Sequence, residues 1–358
     1  MYNTILGLDI GGANTKAALI KFENSTILDS FSFIEYFPFW EKTLNDIPNM
    51  FRRIINNLIV KNRLQLIDIN FISITITAEL SDAFQTKKEG IYTILNALEQ
   101  IFDKEKMFFI SNENKFIDFN QASSNPLSVA AANWVSTSLF LGKFVPNCIL
   151  IDAGSTTIDI IPIMDSTPIA KGKNDIERML NHELVYTGGL RATIPSITHF
   201  VPYKGEMVRI SFEKFALISD VHRVLGNIPE NEYINDTADN RSKSLNDCYA
   251  RLARMICMDL ESISIKDLDV IAQYIYDQQI KIVLKEILEF IKGLASKQPG
   301  FSRNPRFVLT GLSANFLIKP VLKELGYEKI LSYELITDIP DQISSSAFAV
   351  AGAFYFQL

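Results

Sequence analysis

The stretch "GLDIGGANTK", residues 7–16, joins an apolar strand to a tight turn that can hold an anion. Gly11 and Gly12 remove the side chains that would keep a bound phosphate away from backbone N–H groups, and they permit a positive φ in the turn. Three hydrogen-bond donors of different chemistry follow: Asn14, Thr15 and Lys16. The stretch therefore predicts a phosphate-binding turn.

A carboxylate, Asp9, precedes this turn. It is badly placed to bind phosphate directly, because like charges repel. A hydrated Mg²⁺ resolves the conflict, since this ion keeps several waters and binds through one or two carboxylates together with the phosphates of a substrate. We therefore expect Mg²⁺, or another divalent cation, to be held at Asp9 through water.

A second segment repeats this pattern. Residues 3–22 and 147–164 both run from an apolar strand through an aspartate, one further residue, a glycine and small polar residues into a second apolar strand. Asp152 has the position in the second copy that Asp9 has in the first, and the two aspartates are about 143 residues apart. The second turn contributes Gly154, Ser155, Thr156 and Thr157. Repetition at this distance predicts a duplicated domain, in which two carboxylates and two phosphate turns face one cleft.

Strands alternate with helix-like windows along the rest of the chain, which predicts an α/β fold with a mixed sheet. A largely irregular stretch extends to about residue 212, and a helical region follows over 213–295, with its last helix ending at Gly293. The stretch "RFVLTGLSANFL", residues 306–317, then places Gly311 at the end of a strand. Gly311 is a third candidate contact for phosphate.

Together, "LDIGGANTK", "IDAGSTTID" and "VLTGLSAN" resemble the phosphate and nucleoside motifs of the actin, sugar-kinase and heat-shock-chaperone superfamily. The resemblance implies two ribonuclease-H-like domains with the ligand in the cleft between them. It places the first domain at residues 1–143, with the C-terminal helix 344–358 packing back on it. The second domain is predicted at 144–343 and includes the helical region 213–295.

Composition narrows the classes of partner. The 358 residues carry a net charge of -6 and are 47% hydrophobic, and the basic residues are scattered, which argues against a nucleic-acid partner. The most apolar longer window, residues 128–145, contains Asn133 and Lys143 and is too polar for a membrane span, so it predicts a buried helix. Three cysteines without a CxxC pair are typical of a reducing compartment. With no secretory leader pattern after "MYNT", we expect a cytoplasmic protein that binds small molecules.

Within the superfamily, "ITAELSDAF" (76–84) and "DAGSTTIDIIPI" (152–163) resemble the hydantoinase and oxoprolinase branch. Lys16 stands where the first loop of those hydrolytic proteins usually has an acid. The motifs "DIGGANTK", "NWV", "ELVYTGGLR" and "RLARMIC" are similar to a family of small archaeal-type condensing synthases of methanofuran biosynthesis, a part of tetrahydromethanopterin-linked one-carbon metabolism. The resemblance thus favours a transferase over ring-opening hydrolysis.

That family's reaction joins an aminomethyl-furan methyl diphosphate to the phenol oxygen of γ-glutamyltyramine, which forms an ether and releases diphosphate. The resemblance implies that Mg²⁺ and Lys16 stabilise the departing negative charge. Asp9 or Asp152 would position the waters of the metal ion, while one of the cleft carboxylates would take the phenolic proton. The sequence does not assign that base.

Other polar residues admit two interpretations each. Glu79 and Asp82 follow a predicted strand and either line the cleft or cap a helix. Around a Gly-Gly turn, Glu183 is a candidate substrate contact, and Arg191 either binds a phosphate or substrate carboxylate or forms a surface ion pair. The charged residues of 239–254 either cap a helix and stay solvated or form a basic wall for the substrate.

Two other classes of function stay open. The same turns suit an ATP-dependent small-molecule kinase or ATPase, although "SSNPLSVAAAN" lacks the aspartate base that kinases of this superfamily place near their first connecting helix. A non-enzymatic, nucleotide-controlled assembly protein would use the helical region 213–295 as its interaction surface. We expect a closed homo-oligomer rather than a filament.

Overall fold

Strands and helices alternate through the computed structural model, which describes residues 2–24, 26–296, 301, 305–339 and 345–358. The strands are β1 (Asn3–Ile10), β2 (Asn14–Glu23), β3 (Thr26–Tyr36), β4 (Phe71–Ile76), β5 (Met107–Ile110), β6 (Phe116–Asp118), β7 (Cys148–Ala153), β8 (Ile158–Met164), β9 (Thr167–Pro168), β10 (Leu184–Val185), β11 (Phe200–Tyr203), β12 (Glu206–Arg209), β13 (Phe307–Thr310) and β14 (Ile330–Ser332).

The helices are α1 (Asp46–Asn62), α2 (Lys87–Glu99), α3 (Phe119–Ser124), α4 (Asn133–Gly142), α5 (Asp175–Leu180), α6 (Ile218–Val224), α7 (Leu245–Arg254), α8 (Ile265–Ala295), α9 (Lys319–Glu324), α10 (Tyr333–Thr337) and α11 (Ser345–Tyr355). Among the described residues, no helix combines the length and the apolar character needed to cross a membrane.

The two main sheets follow one plan. The first has the strand order β3-β2-β1-β4-β5-β6, with β1 antiparallel to β2 and parallel to β4. The second has the order β10-β8-β7-β13-β14, with β7 parallel to β13 and β8 antiparallel to β10. In both, the hairpin predicted from sequence lies at the centre and a parallel strand continues the sheet from its first strand. The predicted duplicated ribonuclease-H-like α/β fold is therefore confirmed.

The chain divides by proximity into two units. The first comprises residues 1–148, 161–178 and 332–358, and the second comprises 149–160 and 179–331. The domain boundaries predicted from sequence, after residues 143 and 343, stay a prediction.

In the first unit, the apolar side chains of β1 that face α1 and α2 form one continuous core, including Leu6, Leu8 and Ile10. Helices α4 and α11 pack against each other, and α11 also packs on β1 and β2. Residues Trp134 to Gly142 of α4 are all buried, as predicted. Its hydroxyls are satisfied within the helix, since the Ser138 hydroxyl donates to the Trp134 carbonyl at 2.8 Å.

The secondary structure of the second unit differs from the sequence prediction in three places. The region 213–295 is not helical throughout, because no α-helix lies between α6 and α7. Helix α8 continues past Gly293 to Ala295, since a glycine near a helix end costs only about 1 kcal/mol relative to alanine. The stretch expected to be irregular contains the β11–β12 hairpin, whose turn residues Lys204 and Gly205 have φ of 48° and 87°. Two positive φ angles are typical of a type I′ turn, a signal that the sequence analysis missed.

Candidate functional site

The first turn exposes backbone donors. The Gly11 N–H donates to the Asn14 carbonyl at 3.1 Å and closes the β1–β2 hairpin. The carbonyls of Gly12 and Ala13 accept hydrogen bonds of 3.0 and 2.9 Å from backbone amides that follow β3. Their own N–H groups have no hydrogen-bond partner in the described part of the chain. Adjacent N–H groups without a protein partner are able to donate to an anion.

The second turn has the same arrangement. The Gly154 N–H donates to the Thr157 carbonyl at 2.9 Å. The carbonyls of Gly154, Ser155 and Thr156 accept bonds of 2.9 to 3.0 Å from the backbone amides of residues 188–191. Across the residues that the structure describes, the N–H groups of Ser155 and Thr156 make no hydrogen bond. In both turns, the carbonyls accept hydrogen bonds from neighbouring backbone amides, while two adjacent N–H groups have no partner among the described residues.

Among the glycines of the two turns, only Gly11 is required by lack of space, and none of Gly11, Gly12 and Gly154 has a positive φ. Within the described ranges, positive φ at glycine occurs at four other positions, namely residues 205, 226, 311 and 326, so the turns do not use the positive φ that Gly11 and Gly12 permit. A Cβ at Gly11 would lie 2.7 Å from the Asn14 carbonyl oxygen, whereas Gly12 and Gly154 have room for one. Gly11 is thus needed for the turn itself.

The motif that contains Gly311 and Ser313 is hydrogen-bonded to the second turn. The Ser313 hydroxyl donates to the Ala153 and Gly154 carbonyls at 2.8 and 2.9 Å. Gly311 has a φ of 90°, and a Cβ there would lie 2.6 Å from Asp152 Oδ1. Gly311 therefore lies directly against the second carboxylate. A residue with a side chain would be strained at this φ and would collide with Asp152, so the position requires glycine.

Asp9 is held by groups far apart in sequence. It is 6% exposed, and the Ser346 hydroxyl of α11 donates to Asp9 Oδ2 at 2.5 Å. Lys16 Nζ lies 3.7 Å from the same oxygen, because residues 9 and 16 are register partners in the β1–β2 pair. Asp9 Oδ1 is buried and has no hydrogen-bond partner in the described part of the molecule. Sequence analysis missed Ser346, since nothing local links it to the first turn.

Asp9 has one carboxylate oxygen that suits a water of a hydrated Mg²⁺. Among the described residues, no group of three or more histidine, cysteine, aspartate or glutamate side chains is arranged to hold a metal ion. Mg²⁺ needs only one or two carboxylates when water and substrate phosphates supply its other ligands. The unpartnered Oδ1 of Asp9 is a suitable acceptor for such a water.

Thr15 and Lys16 have different surroundings although they are adjacent. The Thr15 side chain is fully buried, and its hydroxyl donates to Met50 Sδ at 3.3 Å. Successive side chains on a strand point to opposite faces, so Lys16 is directed toward Asp9 and keeps 31% of its side chain exposed. The predicted Thr15 hydroxyl therefore faces the core of the first unit rather than the turn.

The loop after β4 adjoins the first turn. A Cβ at Gly11 would lie 3.6 Å from the Thr77 hydroxyl, and one at Gly12 would lie 3.8 Å from Ser81 Cβ. Glu79, between them, is only 2% exposed. The helix-capping interpretation of Glu79 and Asp82 was wrong, because the N-cap of α2 is Thr86.

Comparisons with known proteins agree with this architecture. Residues 70–356 match the family model described as hydantoinase/oxoprolinase. The chain belongs to the hydantoinase/oxoprolinase family. A relative from Methanocaldococcus jannaschii, named (4-{4-[2-(gamma-L-glutamylamino)ethyl]phenoxymethyl}furan-2-yl)methanamine synthase, is 32% identical over 355 residues, which cover 99% of this chain and 98% of the relative.

A second relative with the same name, from Methanococcus vannielii, is 37% identical over 179 residues, covering 50% of this chain and 76% of that protein. Among solved structures, nucleotide-free acetone carboxylase aligns with 98% of this chain and 70% of its own, at a TM-score of 0.54 and 12% identity. At that identity the likeness shows a shared fold alone.

Two candidate substrate contacts of this hydantoinase/oxoprolinase family member lie in the second unit. Glu183 is 2% exposed, and its backbone carbonyl accepts from the Ile160 amide at 2.9 Å. Arg191 is exposed and forms no ion pair among the described residues, so both of its interpretations stay predictions. The backbone amide of Arg191 donates to the Ser155 carbonyl, which places this residue directly behind the second turn.

Among the charged residues of 239–254, Asp239, Arg251 and Arg254 form an ion-pair cluster rather than a solvated cap, whereas Arg241 is 63% exposed. Arg251 is fully buried, and its Nη2 lies 2.7 Å from Oδ1 of the equally buried Asp220. Asp239 accepts from both Arg251 and Arg254, at 3.0 and 2.8 Å. The N-cap of α7 is Ser244. The cluster joins α6 and α7 within the second unit.

A buried polar chain connects the helical region to the second turn. Gln279 of α8 donates through Nε2 to the Thr187 hydroxyl and the Gly188 carbonyl, both at 3.1 Å. Its Oε1 lies 3.0 Å from His222 Nε2, which therefore carries the hydrogen. Burial lowers the pKa of His222 to about 3, so the ring stays neutral. A Cβ at Gly188 would lie 2.6 Å from the Ser155 backbone, so this chain fixes the segment on which the turn rests.

Replacing Glu79 by glutamine is expected to raise the free energy of unfolding at pH 8. It should also remove the part of the pH dependence of that free energy that comes from Glu79. Burial raises the pKa of the Glu79 carboxyl from 4.5 to about 7, so the folded state binds the proton more tightly than the unfolded state. Glu79 therefore costs stability progressively as pH rises from about 4.5 through 7, by up to about 3 kcal/mol above that range. Urea unfolding at pH 5 and pH 8 measures the difference.

The matched control for this prediction is Asp82→Asn, an exposed carboxyl in the same loop, which should change the free energy of unfolding by less than about 0.5 kcal/mol at either pH. An equal effect of Glu79→Gln at both pH values would contradict the prediction.

Proposed function

We propose that this protein is a methanofuran-biosynthesis transferase that condenses an aminomethyl-furan methyl diphosphate with γ-glutamyltyramine. The observation that carries the proposal is the full-length similarity to the Methanocaldococcus jannaschii synthase, at 32% identity over 99% of this chain and 98% of that protein. The product named for the relative contains the ether that this condensation forms.

The turns supply the chemistry of a diphosphate site. Each unit presents two adjacent backbone N–H groups, those of Gly12 and Ala13 in the first and of Ser155 and Thr156 in the second. Such donors bind phosphate oxygens without a side chain and require no reorganisation during reaction. Lys16 adds a positive charge beside the first turn. These groups favour a state in which negative charge collects on a departing diphosphate.

The reaction breaks the bond between the furan methylene carbon and the diphosphate oxygen, whose electron pair leaves with diphosphate. The phenol oxygen then bonds to the methylene carbon and loses its proton. Asp9 or Asp152 would hold Mg²⁺ through water, and the ion would neutralise charge on the leaving group. Ser346 keeps Asp9 oriented for this task, since its hydroxyl fixes one carboxylate oxygen and leaves the other for water.

Purified protein incubated with the furan diphosphate, γ-glutamyltyramine and Mg²⁺ is expected to form one ether and one diphosphate per turnover. Mass spectrometry detects the ether and a coupled colorimetric assay detects diphosphate. EDTA should abolish both signals, and omission of either substrate is the control. Absence of the ether with both substrates present would refute the proposal. Phosphate release from Mg-ATP with a small-molecule acceptor would favour the kinase alternative instead.

A further inference from the structure

Glu79 is a carboxylate that takes hydrogen bonds from the backbone of residues 79 and 131 and keeps one oxygen unpaired within the described residues. Its side chain is buried, and its Oε2 atom has no hydrogen-bond partner within the described residues. A buried, unsatisfied carboxylate oxygen costs free energy, and a bound ligand or water that supplies a donor removes that cost. A phenol O–H is such a donor.

The charges near Glu79 do not neutralise it. Lys87 on α2 and Asp175 on α5 are the charged groups whose fields act on it. Lys87 Nζ lies 3.2 Å from Asp175 Oδ2, so these two charges pair with each other. Across the described chain, Glu79 itself forms no ion pair. Its carboxylate is therefore not a member of a structural salt bridge.

Glu79 also lies in the segment next to the first turn. Thr77 and Ser81 lie two residues before and two residues after Glu79. Thr77 is the neighbour of Gly11, and Ser81 is the neighbour of Gly12. The Thr77 amide donates to the Ile10 carbonyl at 2.8 Å, which ties this loop to the strand that ends in the turn. A substrate whose diphosphate occupies the turn brings its reacting carbon to this neighbourhood.

We propose that Glu79 is the general base that accepts the phenolic proton during ether formation, an inference that rests on the proposed function. As the phenol oxygen bonds to the methylene carbon, the O–H electron pair stays on oxygen and the proton passes to Glu79. Diphosphate leaves with the electron pair of the broken C–O bond, so atoms and charges balance. The protonated carboxyl returns its proton to water after the product departs.

The surroundings suit this role. Burial raises the pKa of Glu79 to about 7, which makes it a stronger base than an ordinary carboxylate while it remains largely ionised at pH 8. Asp9 has another task in the proposed function, because Ser346 and Lys16 contact its Oδ2 and its Oδ1 is left for a water of the metal ion. The raised pKa also lies closer to that of a phenol, about 10, which eases proton transfer.

The test compares Glu79→Gln with the control Glu105→Gln under saturating substrates. Glu105 is exposed and lies before β5, at the amino end of the parallel strands. Glu79→Gln is expected to lower kcat by about 10²- to 10⁴-fold with little change in KM for the furan diphosphate. In the native protein, kcat should rise with pH through about 7, and the variant should lose this limb. Circular dichroism at pH 8 verifies that the variant is folded.

A second substrate separates proton transfer from a structural effect. With a γ-glutamyl-difluorotyramine, whose phenol is more acidic, the loss caused by Glu79→Gln should shrink at least tenfold. Equal losses with both phenols, or a variant within twofold of the native rate, would overturn the inference. If the native protein forms no ether, the proposed function itself fails; native activity with an unaffected variant removes only the role of Glu79.

Discussion

Replacement of Lys16 by glutamine is expected to lower kcat for ether formation by about 10²- to 10³-fold, the loss typical of removing one preorganised electrostatic donor. Lys16 lies beside the first turn, 3.7 Å from Asp9, with 31% of its side chain exposed. Its charge is most useful after the C–O bond begins to break, because negative charge then grows on diphosphate. The effect should therefore fall on kcat more than on KM.

The same strand offers a matched control, Lys21→Gln. Lys21 lies over the ring of Tyr2, with its Nζ 3.6 Å from the ring centre, and is five residues away from Lys16. The control should leave kcat within about twofold, since a contact of this kind contributes only about 0.5–1 kcal/mol to stability. Steady-state kinetics under saturating Mg²⁺ compares the two variants. A Lys16→Gln enzyme as fast as the Lys21→Gln enzyme would disprove the role of Lys16.

Replacement of Arg251 by methionine should produce the largest loss of stability, about 3–5 kcal/mol. Arg251 and Asp220 are both fully buried and lie 2.7 Å apart. Methionine fills much of the arginine volume but leaves the Asp220 carboxylate as a buried charge without its cation. Tyr233 still donates to Asp220 at 3.0 Å, which compensates only in part. The free energy of unfolding from urea titration, followed by circular dichroism, measures the loss.

Two further variants isolate the cause of that loss. Arg241→Met removes an arginine that is 63% exposed and 3.9 Å from Asp239, and it should cost no more than about 1 kcal/mol. In the double variant Asp220→Asn with Arg251→Met, the buried charge is removed as well, so part of the stability should return. A double variant less stable than Arg251→Met would show that the cost comes from lost packing rather than from the charge.

Local patterns were enough to predict both hairpins and the fold class. The alternation of strand, aspartate, glycine turn and strand depends on residues within 20 positions of each other, so it is visible in the chain itself. The same holds for the buried helix α4 and for the glycine at the end of β13. The roles of charged residues were predicted less well. Arg251 looked like a solvated helix residue because its partner Asp220 is 31 positions away.

Positions of side chains around the turns depended on contacts that cross the sequence. Ser346 reaches Asp9 over 337 positions, and Gln279 reaches Gly188 over 91. The alternation of strand faces turned the Thr15 hydroxyl toward Met50 and Lys16 toward Asp9. The local sequence does not indicate any of these pairs, because hydroxyl and amide side chains occur on a solvated surface as well as in buried contacts.

The sequence by itself determined that the chain repeats one strand-turn-strand unit around an aspartate, since hydrophobic periodicity and turn glycines act over short distances. Only the tertiary structure decided which of the nearby polar groups remain without a partner. Those include the N–H groups of Gly12 and Ala13 and the carboxylate oxygens of Asp9 and Glu79, within the described residues. The physical reason is that hydrogen-bond satisfaction is a property of the packed neighbourhood, which brings distant segments together and leaves some donors and acceptors unpaired.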